Sequence, residues 1–317
     1  MSNLLGTCHT AIADGTQFDL YERNLMSESH IRYGGHGGIA YHHISDTYIA
    51  LFSHFIPCGV WEAIYIIEGL LKNKSNIQID TVHADTQGQS AIVFALCYLL
   101  GIKLEPRIRN WKDLKFYRPE KNTKYKNIDN LFTDVTNWDL IEKHWMDMMQ
   151  VVLSIKEGKI SSAVLLRRLG NYSKKNKLYQ AFRELGRVVR TIFLLDYISD
   201  NEKRQKITAS TNKIESYNQF SQWFFFGLLG VISSNYFDEQ EKAIKYNDLI
   251  ANIVMLQNVA DMSMIVQDLR KSGTVVNDKD LAFLSPYITS STKRFGSYNV
   301  DMMNKPPDLE EFIKISV

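Results

Sequence analysis

A mixed α/β fold built on one sheet is predicted by three features of the 317-residue sequence. Short apolar runs of strand length alternate with helix-period stretches over the first hundred residues. Glycine, proline and aspartate punctuate the ends of these runs. From residue 137 onward the periodicity is helical in almost every apolar segment. Strands and helices interleaved in this way bury their apolar faces as one sheet covered by helices.

The elements follow in order. Residues 8–13 are the first strand, ending at Asp14. The stretch IRYGGHGGIAYHHIS carries two Gly-Gly pairs and predicts a turn. Residues 39–44 and 47–57 read as two strands with Asp46 in the turn between them. Val60, Ala63, Ile64, Ile67, Leu70 and Leu71 fall at helical spacing, so 60–72 is a helix. Residues 77–84 are the next strand, 90–100 an apolar helix stopped by Gly101, and 103–108 the last strand. Helices are expected over 137–156, 162–169, 177–197, 207–226 and 239–272, with no strand among them. Residues 285–298 are rich in turn formers, and NKPPDLEEF reads as a peripheral tail. The predicted division is a sheet-bearing core over 1–109, a helical insertion over 110–205, a returning helix over 206–230 and a C-terminal helical region over 231–317.

Composition narrows the class. At 45% hydrophobic and 23% charged residues the chain is an ordinary globular one. Cys8, Cys58 and Cys97 form neither a zinc spacing nor a disulfide framework, which fits a reducing, cytoplasmic setting. Residues 1–14 lack the basic start and apolar core of a signal peptide. No apolar run is read as reaching the roughly 18 residues that cross a bilayer, so no membrane partner is expected. Net charge is +2, yet residues 103–126 carry nine basic and three acidic side chains, and 156–190 carry ten and two. Such clusters suit phosphate binding, and equally suit solvated helix faces.

Three carboxylates stand in informative places: Asp14 in AIADGTQF, Asp85 in VHADTQGQ and Glu215 in TNKIESYNQF. Two aspartates at the ends of neighbouring strands share one crevice, and a helix beside it brings a glutamate. Hard oxygen donors of this kind hold Mg²⁺, and two such ions about 4 Å apart drive in-line phosphoryl transfer. Taken singly, each aspartate is also a turn or helix-cap residue, and Glu215 a solvated one. His83 shares a strand face with Asp85, so it either touches a phosphate or is a satisfied core histidine. Asn212 and Asn218 flank Glu215 by one helical turn and are placed as supporting hydrogen-bonding residues. Arg107, Arg109 and Lys112, and the stripe Arg183, Arg187 and Arg190, are placed as contacts to DNA phosphates. Trp111, Trp223 and Phe224 read as core. The glycines at 34, 35, 37 and 38 are followed by no GK[ST], which excludes a P-loop.

At these residues the sequence resembles the C-terminal catalytic (DDE) domain of the replicative transposases of the Tn-three family. The stretch beginning ADGTQFDLYERNLMSESHIRYGGHGG carries the resemblance, together with DTVHADTQGQS, LLGIKLEPRIRNWKDLKFYRP, LYQAFRELGRVVRTIFLLDYISD and TNKIESYNQFSQWFFFG. It runs from about residue 14 to about 298. The resemblance implies a ribonuclease-H-like α/β fold, a mixed sheet with a large helical insertion before the glutamate-bearing helix. It implies catalytic, metal-holding roles for Asp14, Asp85 and Glu215, with two Mg²⁺ or Mn²⁺ ions per site and no organic cofactor. The implied reaction is cleavage of DNA at transposon 3′ ends and strand transfer into target DNA, giving a cointegrate. The partner would be DNA, and the full-length protein a homodimer in the bacterial cytoplasm. Members of the family are much longer and carry modules that bind the element's ends. The alternative expectation is therefore a truncated, inactive remnant that acts as a DNA-binding or regulatory fragment.

Overall fold

The computed structural model describes residues 9–21, 23–24, 27–30, 35–58, 60, 62–72, 78–171, 176–297 and 299. In chain order the elements are β1 (Thr10–Leu20), β2 (Glu28–His30), β3 (Gly35–Ser45), β4 (Ala50–Pro57), α1 (Tyr65–Leu71), β5 (Thr81–Ala84), α2 (Ala91–Leu100), β6 (Lys103–Pro106), β7 (Phe116–Arg118) and β8 (Phe132–Val135). They continue as α3 (Trp138–Lys143), α4 (Trp145–Lys156), α5 (Ser162–Asn171), α6 (Lys177–Ser199), α7 (Asn201–Phe224), β9 (Val231–Ile232), α8 (Phe237–Lys271) and α9 (Asp278–Leu281). The protein is mixed α/β, and its strand pairing is mixed as well. The chain forms two compact units. A central unit comprises His9–Asp14 and Val60–Ile214; a flanking unit holds Gly15–Gly59 and the chain from Glu215 onward.

In the central unit β5 pairs in parallel with the first residues of β1, from Thr10↔Thr81 to Ala13↔Ala84. On its other side β5 pairs in parallel with β6, from Thr81↔Lys103 to Ala84↔Pro106. Ala11, Ile12, Val82 and Leu104 are buried, as strands covered on both faces require. Helix α2 stops at Gly101, whose φ of 81° is the left-handed conformation that glycine adopts without steric cost. Its residues Val93, Phe94, Leu96 and Cys97 are buried, and it packs along α6. The approach is closest at Gly186, where a Cβ would stand 1.6 Å from the carbonyl oxygen of Ala91. The carboxylate of Glu68, from α1, sits at the start of α5. It accepts hydrogen bonds from the hydroxyls of Ser161 (3.0 Å) and Ser162 (2.5 Å) and from the Ala163 N–H (3.2 Å), and pairs with Lys72 at 3.0 Å. Burial pushes this carboxyl upward, but the Ser162, Lys72 and Ala163 interactions prevail and hold it at about 2.

In the flanking unit β2 and β4 pair antiparallel with β3, and the end of β1 pairs in parallel with β9 through Asp19↔Val231 and Leu20↔Ile232. Phe18, Leu20, Ala40, Phe55, Ile232 and Ile244 form its core, with Phe225 against them. Helix α8 packs on β4, and its Asn252 clasps both the N–H (2.9 Å) and the carbonyl (3.0 Å) of Ala50.

Several expectations are corrected. The first strand does not end at Asp14 but runs to Leu20, because the residues after Gly15 pair with β9. Only the ladder with β5 stops there, its last matched pair being Ala13↔Ala84. Gly35, Gly37 and Gly38 lie within β3 rather than a turn, and Gly34 is outside the described residues. Close packing explains two of them: a Cβ at Gly37 would meet the Phe18 carbonyl oxygen at 2.4 Å, and one at Gly38 the Phe55 ring at 2.3 Å. The helical insertion opens with a small parallel pair, β7 with β8, too short to register as period-two alternation. Helix α8 is, by length and composition, apolar enough to cross a membrane, contrary to the sequence reading. Its Gln240, Asn247, Asp248 and Asn258 are buried polar residues of the flanking unit, as in a packing helix. The proline-bearing tail lies outside the described residues.

Candidate functional site

Asp14 and Asp85 are each the next residue after the matched pair Ala13↔Ala84 on neighbouring parallel strands. Strands so paired lie about 4.8 Å apart, and residues at matched positions project to the same face. The two aspartates therefore follow the ladder at equivalent positions on adjacent strands. Both are half-buried. Asp85 also caps the 3₁₀ turn Thr86–Gln89, its Oδ1 accepting the Gln87 N–H at 2.9 Å. The cap and ligand readings of Asp85 are thus compatible, since a carboxylate offers about four acceptor positions. Gly88 lets the turn sit on the strand ends: a Cβ there would be 2.9 Å from that of Ala84 and 3.1 Å from that of Pro106.

His83 is fully buried on β5. Its Nδ1 lies 3.3 Å from the Glu105 carbonyl oxygen and 3.6 Å from the Glu105 carboxylate, the residue matched to it on β6. Burial raises the Glu105 carboxyl, but the Lys103 hydrogen bond and the charges of His83 and Lys203 win and hold it below its usual range. His83 is thus used in the core, the blander of its two sequence readings.

Glu215 is exposed on α7 and is the first residue of the flanking portion of that helix. Asn212, one turn earlier, is exposed as well, in the last residues assigned to the central unit. Asn218 is buried instead, its Oδ1 3.0 Å from Nδ1 of His42. His42 Nε2 lies 3.3 Å from Asp248, which also accepts from the Tyr217 hydroxyl at 2.6 Å. Sequence reasoning missed this network. The signal was the His-His pair in an apolar strand buried on both faces, where alternation sends the two rings to opposite sides.

The basic residues divide. Arg109 and Lys112 are exposed. Arg107 is half-buried; its N–H donates to the Ala84 carbonyl (2.8 Å) and its carbonyl accepts from Gln89 (3.0 Å). Arg183, Arg187 and Arg190 are half-buried rather than a solvated stripe. Arg187 pairs with Glu184 and stacks over the Tyr117 ring at 4.7 Å, and Arg190 donates to the Gln89 carbonyl at 3.1 Å. Arg183 is half-buried beside them. Sequence patterning missed this because Tyr117 and Gln89 are distant in sequence from the helix that meets them.

Asp14 and Asp85 fit a hard divalent cation, which takes one or two carboxylates and fills its remaining positions with water and phosphate oxygen. Among the described residues no group of three or more His, Cys, Asp or Glu side chains is placed to hold a metal ion together. A family model described as the Tn3 transposase DDE domain matches residues 1–298. The chain is 34% identical over 280 residues to the transposase for transposon Tn501 of Pseudomonas aeruginosa, covering 87% of this chain and 28% of that protein. It is 33% identical over 282 residues to the transposase for Tn21 of Escherichia coli, covering 86% and 28%. It is 30% identical over 291 residues to the transposase for Tn1546 of Enterococcus faecium, covering 92% and 29%. The chain spans less than a third of the length of these curated relatives. The pair of aspartates thus stands in a chain whose sequence is matched from residue 1 to residue 298, and the chain belongs to the Tn3 transposase DDE domain family.

Proposed function

We propose that this chain is the catalytic domain of a replicative transposase, cleaving DNA at the 3′ ends of an element and joining those ends to target DNA on the way to a cointegrate. The observation that carries the reading is the matched emergence of Asp14 and Asp85 in a member of this family. In this reading Glu215 is the third catalytic acid, and the three hold two Mg²⁺ or Mn²⁺ ions. Such ions, when bound, neutralise phosphate charge and lower the pKa of an attacking water or hydroxyl. The chain's own share is placement, with Asp14 inside β1 and Asp85 capping the turn that follows β5. Arg109 and Lys112 hold backbone phosphates. The antiparallel β2–β4 set, followed by parallel β5 and β6 alternating with helices, supports a ribonuclease-H-like fold. DNA is the partner, transposon ends and target alike; the working form is a homodimer, and the compartment the cytoplasm.

The test is a strand-transfer assay on pre-nicked transposon ends in Mg²⁺ or Mn²⁺. The native chain gives joined product, and Asp85→Ala and Glu215→Gln give none. Product undiminished in both variants would overturn the assignment. DNA binding with no product from the native chain would favour the regulatory-fragment alternative.

A further inference from the structure

Glu62 lies on the 3₁₀ turn Glu62–Ile64 that leads into α1, and only 4% of it is exposed. Its Oε1 accepts a hydrogen bond from Gln87 Nε2 at 3.0 Å. The backbone N–H of the same Gln87 donates to Asp85 Oδ1 at 2.9 Å. A buried carboxylate therefore reaches Asp85 through a single intervening residue.

The rest of the turn is fastened from the opposite side. Gln89 donates to the Arg107 carbonyl at 3.0 Å, and Arg190 donates to the Gln89 carbonyl at 3.1 Å. The Arg107 N–H returns to the Ala84 carbonyl at 2.8 Å, tying the strand just before Asp85. With Gln89 anchored by these contacts and Gln87 by Glu62, the segment Asp85–Gln89 is held at both ends. This gives each polar letter of DTQGQ a task except Thr86.

Packing alone does not account for Glu62. Burying a carboxylate is costly, and an apolar residue of similar size does as well or better where filling space is the only need. What the arrangement does supply is direction. Residues that orient a ligand carboxylate hold it in one rotamer and spare the bound state the entropy of ordering it.

We propose that Glu62 and Gln87 are positioning residues for Asp85. Glu62 fixes the Gln87 side chain, and the Gln87 N–H then fixes one oxygen of Asp85. The carboxylate is thereby presented to a divalent ion in a single orientation. This rests on the reading of Asp85 as a metal ligand.

Two measurements on the 317-residue chain test it. The first is hydrogen exchange at the Gln87 amide, read by NMR. Exchange accelerates at least tenfold in Glu62→Ala and stays near native in Glu62→Gln, which keeps an acceptor oxygen. Exchange unchanged in Glu62→Ala overturns the proposal, whether or not the chain binds metal. The second is Mn²⁺ affinity by titration calorimetry. Glu62→Ala and Gln87→Ala each weaken binding by about tenfold, the scale of lost outer-shell support, while Glu62→Gln does not. A residue that serves stability alone lowers the melting temperature in Glu62→Ala and leaves Mn²⁺ affinity and the Gln87 amide as they were; that result also overturns it. Gln87→Ala, on a half-exposed turn, keeps the test open if Glu62→Ala fails to fold. Absence of any Mn²⁺ binding by the native chain counts against the catalytic reading, and the amide measurement still decides this one.

Discussion

His42 Nδ1 lies 3.0 Å from the side-chain oxygen of Asn218, inside the flanking unit. The same imidazole reaches Asp248, whose carboxylate also takes the Tyr217 hydroxyl. Burial opposes ionisation of Asp248, yet the charge and hydrogen bond of His42 and the bonds from Ser53 and Tyr217 hold its carboxyl below the ordinary range. Removing one member strands the others in an apolar interior. Asp248→Ala should lower unfolding free energy by about 3 kcal/mol, the usual scale for breaking a buried charged pair. Urea denaturation at pH 7 measures it, and a loss below about 0.5 kcal/mol, the scale of an ordinary surface change, would contradict it.

Glu68 supplies a pH signature. Its folded carboxyl sits at about 2, below the unfolded value of about 4.3. A depressed folded pKa means the stabilisation is fully present above the unfolded value and is lost as pH falls toward the folded one. Glu68→Gln should therefore cost about 2 kcal/mol at pH 7, and the gap between variant and native should close between pH 4 and pH 2. Denaturation curves across that window decide it; a gap independent of pH would show that the carboxylate's charge is irrelevant.

Gly186 has no room for a methyl group. The atom it would strike is the Ala91 backbone oxygen, which no rotamer change can move. Gly186→Ala should cost at least about 2 kcal/mol by overpacking. Gly227→Ala, where a Cβ meets nothing within 4 Å, serves as the comparison and should stay within about 1 kcal/mol. Thermal melts of the two variants side by side give the answer.

Exposed and committed arginines should separate in DNA binding. Arg109→Ala and Lys112→Ala should each lower the slope of log affinity against log salt by about 1, leaving the melting temperature alone. Arg187→Ala should do the reverse, because its guanidinium is spent on Glu184 and Tyr117. Equal salt slopes in all three variants would refute the division.

The long helices and the parallel strands were legible because their apolar spacing repeats over many residues. Gly101 marked the end of α2 because a left-handed residue there favours glycine. The continuation of β1 past Asp14 was not legible: Asp-Gly is a local turn signal, and only pairing with the distant Val231 and Ile232 overrides it. Likewise the glycines of β3 signal a turn locally but serve close approach to Phe18 and Phe55. Asp85 stands just past β5, a strand end that the apolar run before it marks locally. Glu62 was not legible, because nothing in its neighbourhood reveals that Gln87 will come to meet it.

The segment that the sequence presents as an insert is also a wall of the sheet's own interior. Helix α6 lies on α2 at Gly186, and its Arg190 steadies the turn behind Asp85. Trimming that segment would strip Val93, Phe94 and Leu96 of their cover and leave an oily flank open to aggregation. A shortened descendant of this chain would need to keep at least one helix there, with a bare patch of backbone at the height of residue 186.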